Sequence, residues 1–170
     1  MQACIEKYKE AGYQRISGNS SRIGSEVLEH PTSRRVAKFG QDPAYDVFVS
    51  QVIAIPSEHF PCFYRHEKPN GPFSAQSNSA YTLTEIEFLV PLTSDEASGV
   101  MAWIEAIFDA LRRQLDPSQV SDPYGLTEDF LRLRTIASNH NVNIDLLKPE
   151  NYMARDVPSG RKIVFSDPYN

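Results

Sequence analysis

From Asp95 to Leu115 the residues Val100, Met101, Ile104, Ile107, Phe108, Leu111 and Leu115 fall on one stripe at helical spacing. The spacing predicts a long amphipathic helix, and such a helix must lay its apolar face against other elements. The chain before it reads differently. Val27-Leu28 and Val36-Ala37-Lys38-Phe39 are short strand patterns around a turn at His30-Pro31-Thr32-Ser33. Residues 62–66 form a further strand, and Tyr81 to Leu89 alternates as another. Residues 2–14 read as a short first helix. Asp42-Pro43 opens a second, because Asp caps a helix and Pro suits its first turn. Tyr45, Phe48, Val49, Val52 and Ile53 continue it at helical spacing, and Pro56 ends it. Ser17 to Ser21 and residues 67–80 are polar loops rich in turn formers.

After the long helix, Asp116 to Gly125 is a linker. Thr127 caps a further helix to about Ala137, with Phe130, Leu131 and Leu133 inward. Asn139 to Asn151 is irregular. Tyr152–Arg155 and Lys162–Phe165 make a closing hairpin around Pro158-Ser159-Gly160. A small antiparallel sheet joined to a mostly helical second half is an α+β pattern.

With 170 residues, 41% of them hydrophobic, the chain has enough material for one core or for two small lobes sharing a cleft. A net charge of −5, with Arg34-Arg35 and Arg112-Arg113 as the nearest approach to basic clusters, argues against a nucleic-acid binder. Cys4 and Cys62 make neither a disulfide framework nor a zinc site. No apolar run approaches membrane-spanning length, and the charged, amphipathic N-terminus is no signal peptide. The expected compartment is the reducing cytoplasm. His30, His59, His66 and His140 have no metal-like spacing, and His59 reads as a structural residue bonding backbone.

The most specific stretch is Asp145-Leu146-Leu147-Lys148-Pro149-Glu150-Asn151, then Tyr152-Met153-Ala154-Arg155, then Lys162-Ile163-Val164-Phe165-Ser166-Asp167. It resembles the catalytic loop of protein kinases, in which an Asp-Leu-Lys-Pro-Glu-Asn core precedes a strand, a turn, a second strand and a metal-binding Asp. Upstream, Ile23-Gly24-Ser25-Glu26-Val27 looks like a reduced phosphate-covering loop, with Gly18 alongside. Val36-Ala37-Lys38 is similar to the family strand whose lysine pairs with nucleotide phosphates. Glu58-His59-Phe60-Pro61 resembles the connection from the small-lobe helix into the next strand, and Glu85 to Leu89 stands where a hinge strand belongs. The resemblance runs from Gly18 to Asn170 with these elements in family order.

The resemblance implies an N-terminal helix over 1–17, a kinase-like small lobe over 18–92 and a reduced large lobe over 93–170. It implies ATP and Mg²⁺ as the reactive partners. Lys38, Gly24, Ser25 and Asp46 are the expected nucleotide-binding residues, with Asp46 standing in for the glutamate that the family places on the small-lobe helix. Asn151 and Asp167 are the expected metal ligands. Asp145 is the expected base beside the acceptor hydroxyl, and Lys148 the cation on the transferred phosphoryl.

Three departures shape the reading. Asp145 lies six residues before Asn151, where family spacing puts the base five before, at Leu146. Asp145 is therefore expected to serve, with a bulge between it and Lys148, because leucine accepts no hydrogen bond. Asn143-Ile144 replace the family's His-Arg. Pro168-Tyr169-Asn170 follow Asp167 in place of Phe-Gly, so no activation segment or peptide-docking platform is expected. Two functional classes follow: a compact phosphotransferase of unknown acceptor, or a pseudokinase-type module that contacts another protein, such as an inhibitor or accessory protein of a mobile element. A protein substrate or a protein partner fits these two classes, the choice between protein and small-molecule acceptors stays open, and no role is expected for nucleic acid or membrane.

Overall fold

The computed structural model describes residues 1–16, 25–68 and 81–170. The order of elements is α1 (Gln2–Glu10), β1 (Gln14–Arg15), β2 (Glu26–His30), β3 (Arg35–Gly40), α2 (Pro43–Val52), β4 (Phe63–Glu67), β5 (Thr82–Glu87), β6 (Val90–Pro91), α3 (Ser94–Arg112), α4 (Thr127–His140), β7 (Tyr152–Val157) and β8 (Gly160–Phe165). Short 3₁₀ turns stand at Pro117–Gln119 and Pro149–Asn151. The class is α+β. Five antiparallel strands pair in the order β1-β2-β3-β5-β4, and three more in the order β6-β7-β8. No helix among the described residues is long and apolar enough to cross a membrane.

The period-2 alternation of β3 sorts its side chains. Ala37 and Phe39 point to one face, where they pack with Leu28, Leu83 and Ile5 of α1. Lys38 points to the other face. That face meets α2, whose Tyr45, Phe48, Val49 and Val52 join a larger core with α3, α4, Leu146, Tyr152 and Phe165. Thus α2, from the first half of the chain, shares a core with the helices of the second half.

The helix ends have definite causes. Asp42 accepts the Tyr45 amide at 3.0 Å and Pro43 fills the first helical position, as the sequence indicates. Helix α1 stops at Glu10, shorter than the expected 2–14, because Gly12 takes a left-handed φ of 97°. Helix α3 starts one residue before Asp95 through a reciprocal cap. The Glu96 amide donates to Thr93 Oγ1 at 3.3 Å, and the Thr93 amide donates to Glu96 Oε2 at 2.7 Å. Thr127 does not cap α4 as expected; the side chain of Asp122 takes the Thr127 amide at 2.7 Å instead. The helix then runs past Ala137 to His140 and closes on Asn141 at φ 53°.

A single arginine ties the two sheets together. Arg155 of β7 donates through Nε to Glu87 Oε2 at 2.8 Å and through Nη2 to Glu87 Oε1, at the end of β5. Its remaining donors reach the carbonyls of Glu58 at 2.6 Å and Phe60 at 2.8 Å, in the α2–β4 connection. The same connection is held from β8, where buried His59 meets the Ile163 carbonyl through Nδ1 at 2.8 Å.

Candidate functional site

Asn151, Ser166 and Asp167 are brought together by the hairpin β7–β8. Its strands pair from Tyr152↔Phe165 to Val157↔Gly160, so the residues just outside it must meet. The Asn151 carbonyl accepts the amide of Ser166 at 2.9 Å and that of Asp167 at 3.4 Å. Beyond Asp167 the backbone runs antiparallel to the segment before the loop. Asp145 donates its amide to the Pro168 carbonyl at 2.8 Å, and Asn143 and Asn170 exchange bonds at 3.1 and 2.9 Å. Tyr169 locks this pairing by donating its hydroxyl to the Leu133 carbonyl of α4 at 2.8 Å.

Lys38 comes to the same place from the other sheet. Its Nζ lies 3.2 Å from Asp167 Oδ2, across 129 residues of sequence. The two side chains are 24% and 34% exposed, so the pair is partly open to solvent. The ammonium also sits over the ring of Tyr45, 3.4 Å from its centroid. Burial pushes the Tyr45 phenol far above its ordinary pKa, and the carboxylates of Asp167, Asp42 and Asp46 push the same way. These effects all favour the neutral phenol.

Asp145 and Lys148 form a second pair, with Nζ 2.5 Å from Oδ2. The Asn151 side-chain amide donates to the Asp145 carbonyl, which fixes the amide group and leaves Oδ1 as its remaining acceptor. Between these anchors the two leucines part. Leu146 is fully buried and its carbonyl takes the Tyr152 hydroxyl at 3.0 Å, while Leu147 is 58% exposed. Leu146 is thus a core residue, and Asp145 is the acidic side chain of this turn.

The other expected nucleotide residues lie differently. Gly24 and Gly18 lie outside the described residues, as do residues 17–21 and 69–80; Glu67, expected to open the loop over 67–80, instead ends β4. Ser25 precedes β2 and lies against Gly40, where an added Cβ would come within 3.2 Å of the serine. Asp46 does not reach Lys38. Its Oδ1 is 3.9 Å from His66 Nε2 and its Oδ2 is 3.7 Å from Lys68. Helical geometry explains this: Tyr45 and Asp46 are consecutive, about 100° apart around the axis, so only one of them faces β3. Asp46 instead helps line a 490 Å³ cavity with Asp42, Ser50, Gln51, Lys68 and His140. Lys38, Asp145, Asn151 and Asp167 are not among its lining residues.

The arrangement is chemically specific. Asn151 and Asp167 offer one amide oxygen and one carboxylate, a donor set suited to Mg²⁺, which takes few protein ligands and keeps several waters. Lys38 offers a cation next to that carboxylate. Asp145 offers a proton acceptor beside the cation of Lys148. Tyr45 was legible only as a core residue, since helical spacing alone assigns it inward. Comparison with protein-family models, curated proteins and solved structures gives no match for the chain.

Proposed function

We propose that the chain is a compact kinase-like phosphotransferase that uses ATP and Mg²⁺. The observation that carries this reading is the 3.2 Å meeting of Lys38 and Asp167 beside Asn151. Phosphoryl transfer needs little covalent help from a protein; it needs positioning and charge stabilisation. In this reading Lys38 would hold the nucleotide phosphates, and Asn151 with Asp167 would hold the metal, which would neutralise phosphate charge. Asp145 orients the acceptor hydroxyl and accepts its proton as the new oxygen–phosphorus bond forms. Lys148 offsets charge on the transferred group, and ADP leaves with the electron pair of the broken bond.

Further support comes from the order of parts along the chain. A lysine-bearing strand is followed by a capped helix, three strands, two helices, the Asp145–Asn151 turn, a hairpin and Asp167. That is the order in which the resembling family uses these residues. The acceptor is left open. A thermal-shift measurement tests the reading. With ATP and Mg²⁺ together at about ten times Kd, binding stabilises the fold by about 1.4 kcal/mol, a rise of roughly 3–6 °C for a chain of this size. Neither ligand alone gives that rise, and Asp167→Ala removes it. A melting temperature unmoved by millimolar ATP with Mg²⁺ rejects the phosphotransferase and leaves a non-catalytic, pseudokinase-type binding module.

A further inference from the structure

We infer that Tyr45 is the positioning residue for Lys38, its buried ring holding the ammonium at the place where nucleotide phosphates arrive. The inference rests on the nucleotide reading for its ligand, though not for the contact itself. Lys38 Nζ stands 3.4 Å from the Tyr45 ring centroid, well inside the range of a cation–ring contact. Tyr45 is 3% exposed, so the contact is shielded on the ring side and the ring is fixed by its packing. The fixing begins with the backbone: Asp42 takes the Tyr45 amide at 3.0 Å, which places Tyr45 in the first turn of α2, facing β3.

A ring serves here in a way that a carboxylate does not. Lys38 has Asp167 as its ion-pair partner among the described residues, at 3.2 Å. In the proposed complex Asp167 turns its charge to a metal and Lys38 turns to phosphate. A partner that changes allegiance cannot hold the lysine through that exchange. The Tyr45 ring is neutral, because a tyrosine phenol carries its proton at neutral pH. It attracts the ammonium through its quadrupole and leaves the full positive charge for the phosphates. Asp46, the carboxylate next along the helix, lies instead toward His66 and Lys68, at 3.9 and 3.7 Å.

The contact is read first in the unaltered chain. In ¹³C-labelled protein the Lys38 ε-methylene protons, identified by their loss in Lys38→Arg, lie upfield of the other lysines because they sit over a ring face. Tyr45→Phe keeps that displacement and Tyr45→Leu abolishes it. ATP·Mg²⁺ affinity then falls about ten- to thirtyfold in Tyr45→Leu, at about 1.4 kcal/mol per decade, and by less than about threefold in Tyr45→Phe. Tyr45 is a core residue, so Tyr45→Leu could unfold the chain. Phenylalanine carrying successive ring fluorines at position 45 keeps the side chain's shape while draining the ring face of negative charge, and affinity falls stepwise with each fluorine. A Lys38 signal at the ordinary lysine position in the parent overturns the inference outright. Fluorinated variants that bind ATP·Mg²⁺ as tightly as Tyr45→Phe overturn the positioning role. A parent that shows the upfield signal yet ignores ATP upholds the contact and rejects the nucleotide reading.

Discussion

Replacing Arg155 with methionine removes four hydrogen bonds at once: two to Glu87 and one each to the carbonyls of Glu58 and Phe60. The aliphatic stem is retained, so packing loss is small. What remains is the Glu87 carboxylate, 15% exposed, with the Cys62 amide at 2.7 Å as its other donor. Breaking a fully buried pair costs about 3–5 kcal/mol, and an exposed pair about 0–1 kcal/mol. The Arg155 side chain is 21% exposed, so the expected cost lies near the buried limit, at about 2–4 kcal/mol. That is a large share of a domain stability of about 5–15 kcal/mol. Urea unfolding followed by circular dichroism and by the fluorescence of Trp103 measures it. With a slope of about 2 kcal/mol per molar, the midpoint falls by roughly 1–2 M. Glu87→Gln in the same background recovers part of the loss, because no unpaired carboxylate is left, and the cycle gives a coupling of about 1–3 kcal/mol. A cost under about 1 kcal/mol, or additivity within about 0.5 kcal/mol, refutes the claim that this arginine joins the two sheets.

Three further outcomes follow from the same geometry. Leu146→Ala destabilises the chain by about 2–5 kcal/mol and Leu147→Ala by less than about 0.5 kcal/mol, as urea midpoints will show; equal effects contradict the loop register. Burial holds the His66 pKa below its ordinary value against the opposing pull of Asp46, with Lys68 adding to the lowering. The unfolded chain therefore binds the His66 proton more readily. The stability linked to that proton is present above about pH 6.5 and falls as pH drops through the depressed folded value. His66→Gln flattens this slope between about pH 7 and 5, and an unchanged slope rules out the linkage. Asp145→Ala cuts phosphate transfer from labelled ATP by about 10²–10⁴-fold while ATP affinity is preserved; transfer at the parent rate removes Asp145 from the mechanism.

Much of the secondary structure was legible because local patterns agree with the packing. The stripe through Ile104 and Ile107 is the buried face of α3, and Pro158-Ser159-Gly160 does turn the last hairpin. Local pattern misleads where a distant or competing acceptor decides an end. Thr127 looked like a cap, yet Asp122, five residues earlier, reaches its amide first. Glu96 closes a cap on Thr93 that the apolar stripe does not register. For the candidate site, the pairing of Lys38 with Asp167 has no local signal; only the order of elements brings the two to one place, since spacing carries no information across 129 residues. Asp46 supplies the charge for a helix partner to the lysine, but its place in the sequence equally fits a solvent-facing residue. The rotation between successive helical residues gave that position to Tyr45, whose aromatic character reads in sequence as core. Arg155 and Glu87, 68 residues apart, left no local signal at all.

The central claim is that nucleotide and metal meet at Lys38, Asn151 and Asp167. Replacing Mg²⁺ with paramagnetic Mn²⁺ in the presence of ATP tests it most directly, because Mn²⁺ broadens the resonances of nearby nuclei. The account predicts that Mn²⁺·ATP broadens the Asn151 side-chain amide and the Ser166 and Asp167 backbone amides first. Ser50, Gln51 and Lys68, which help line the 490 Å³ cavity, broaden less. Broadening centred on that cavity, or uniform weak broadening across the chain, contradicts the account.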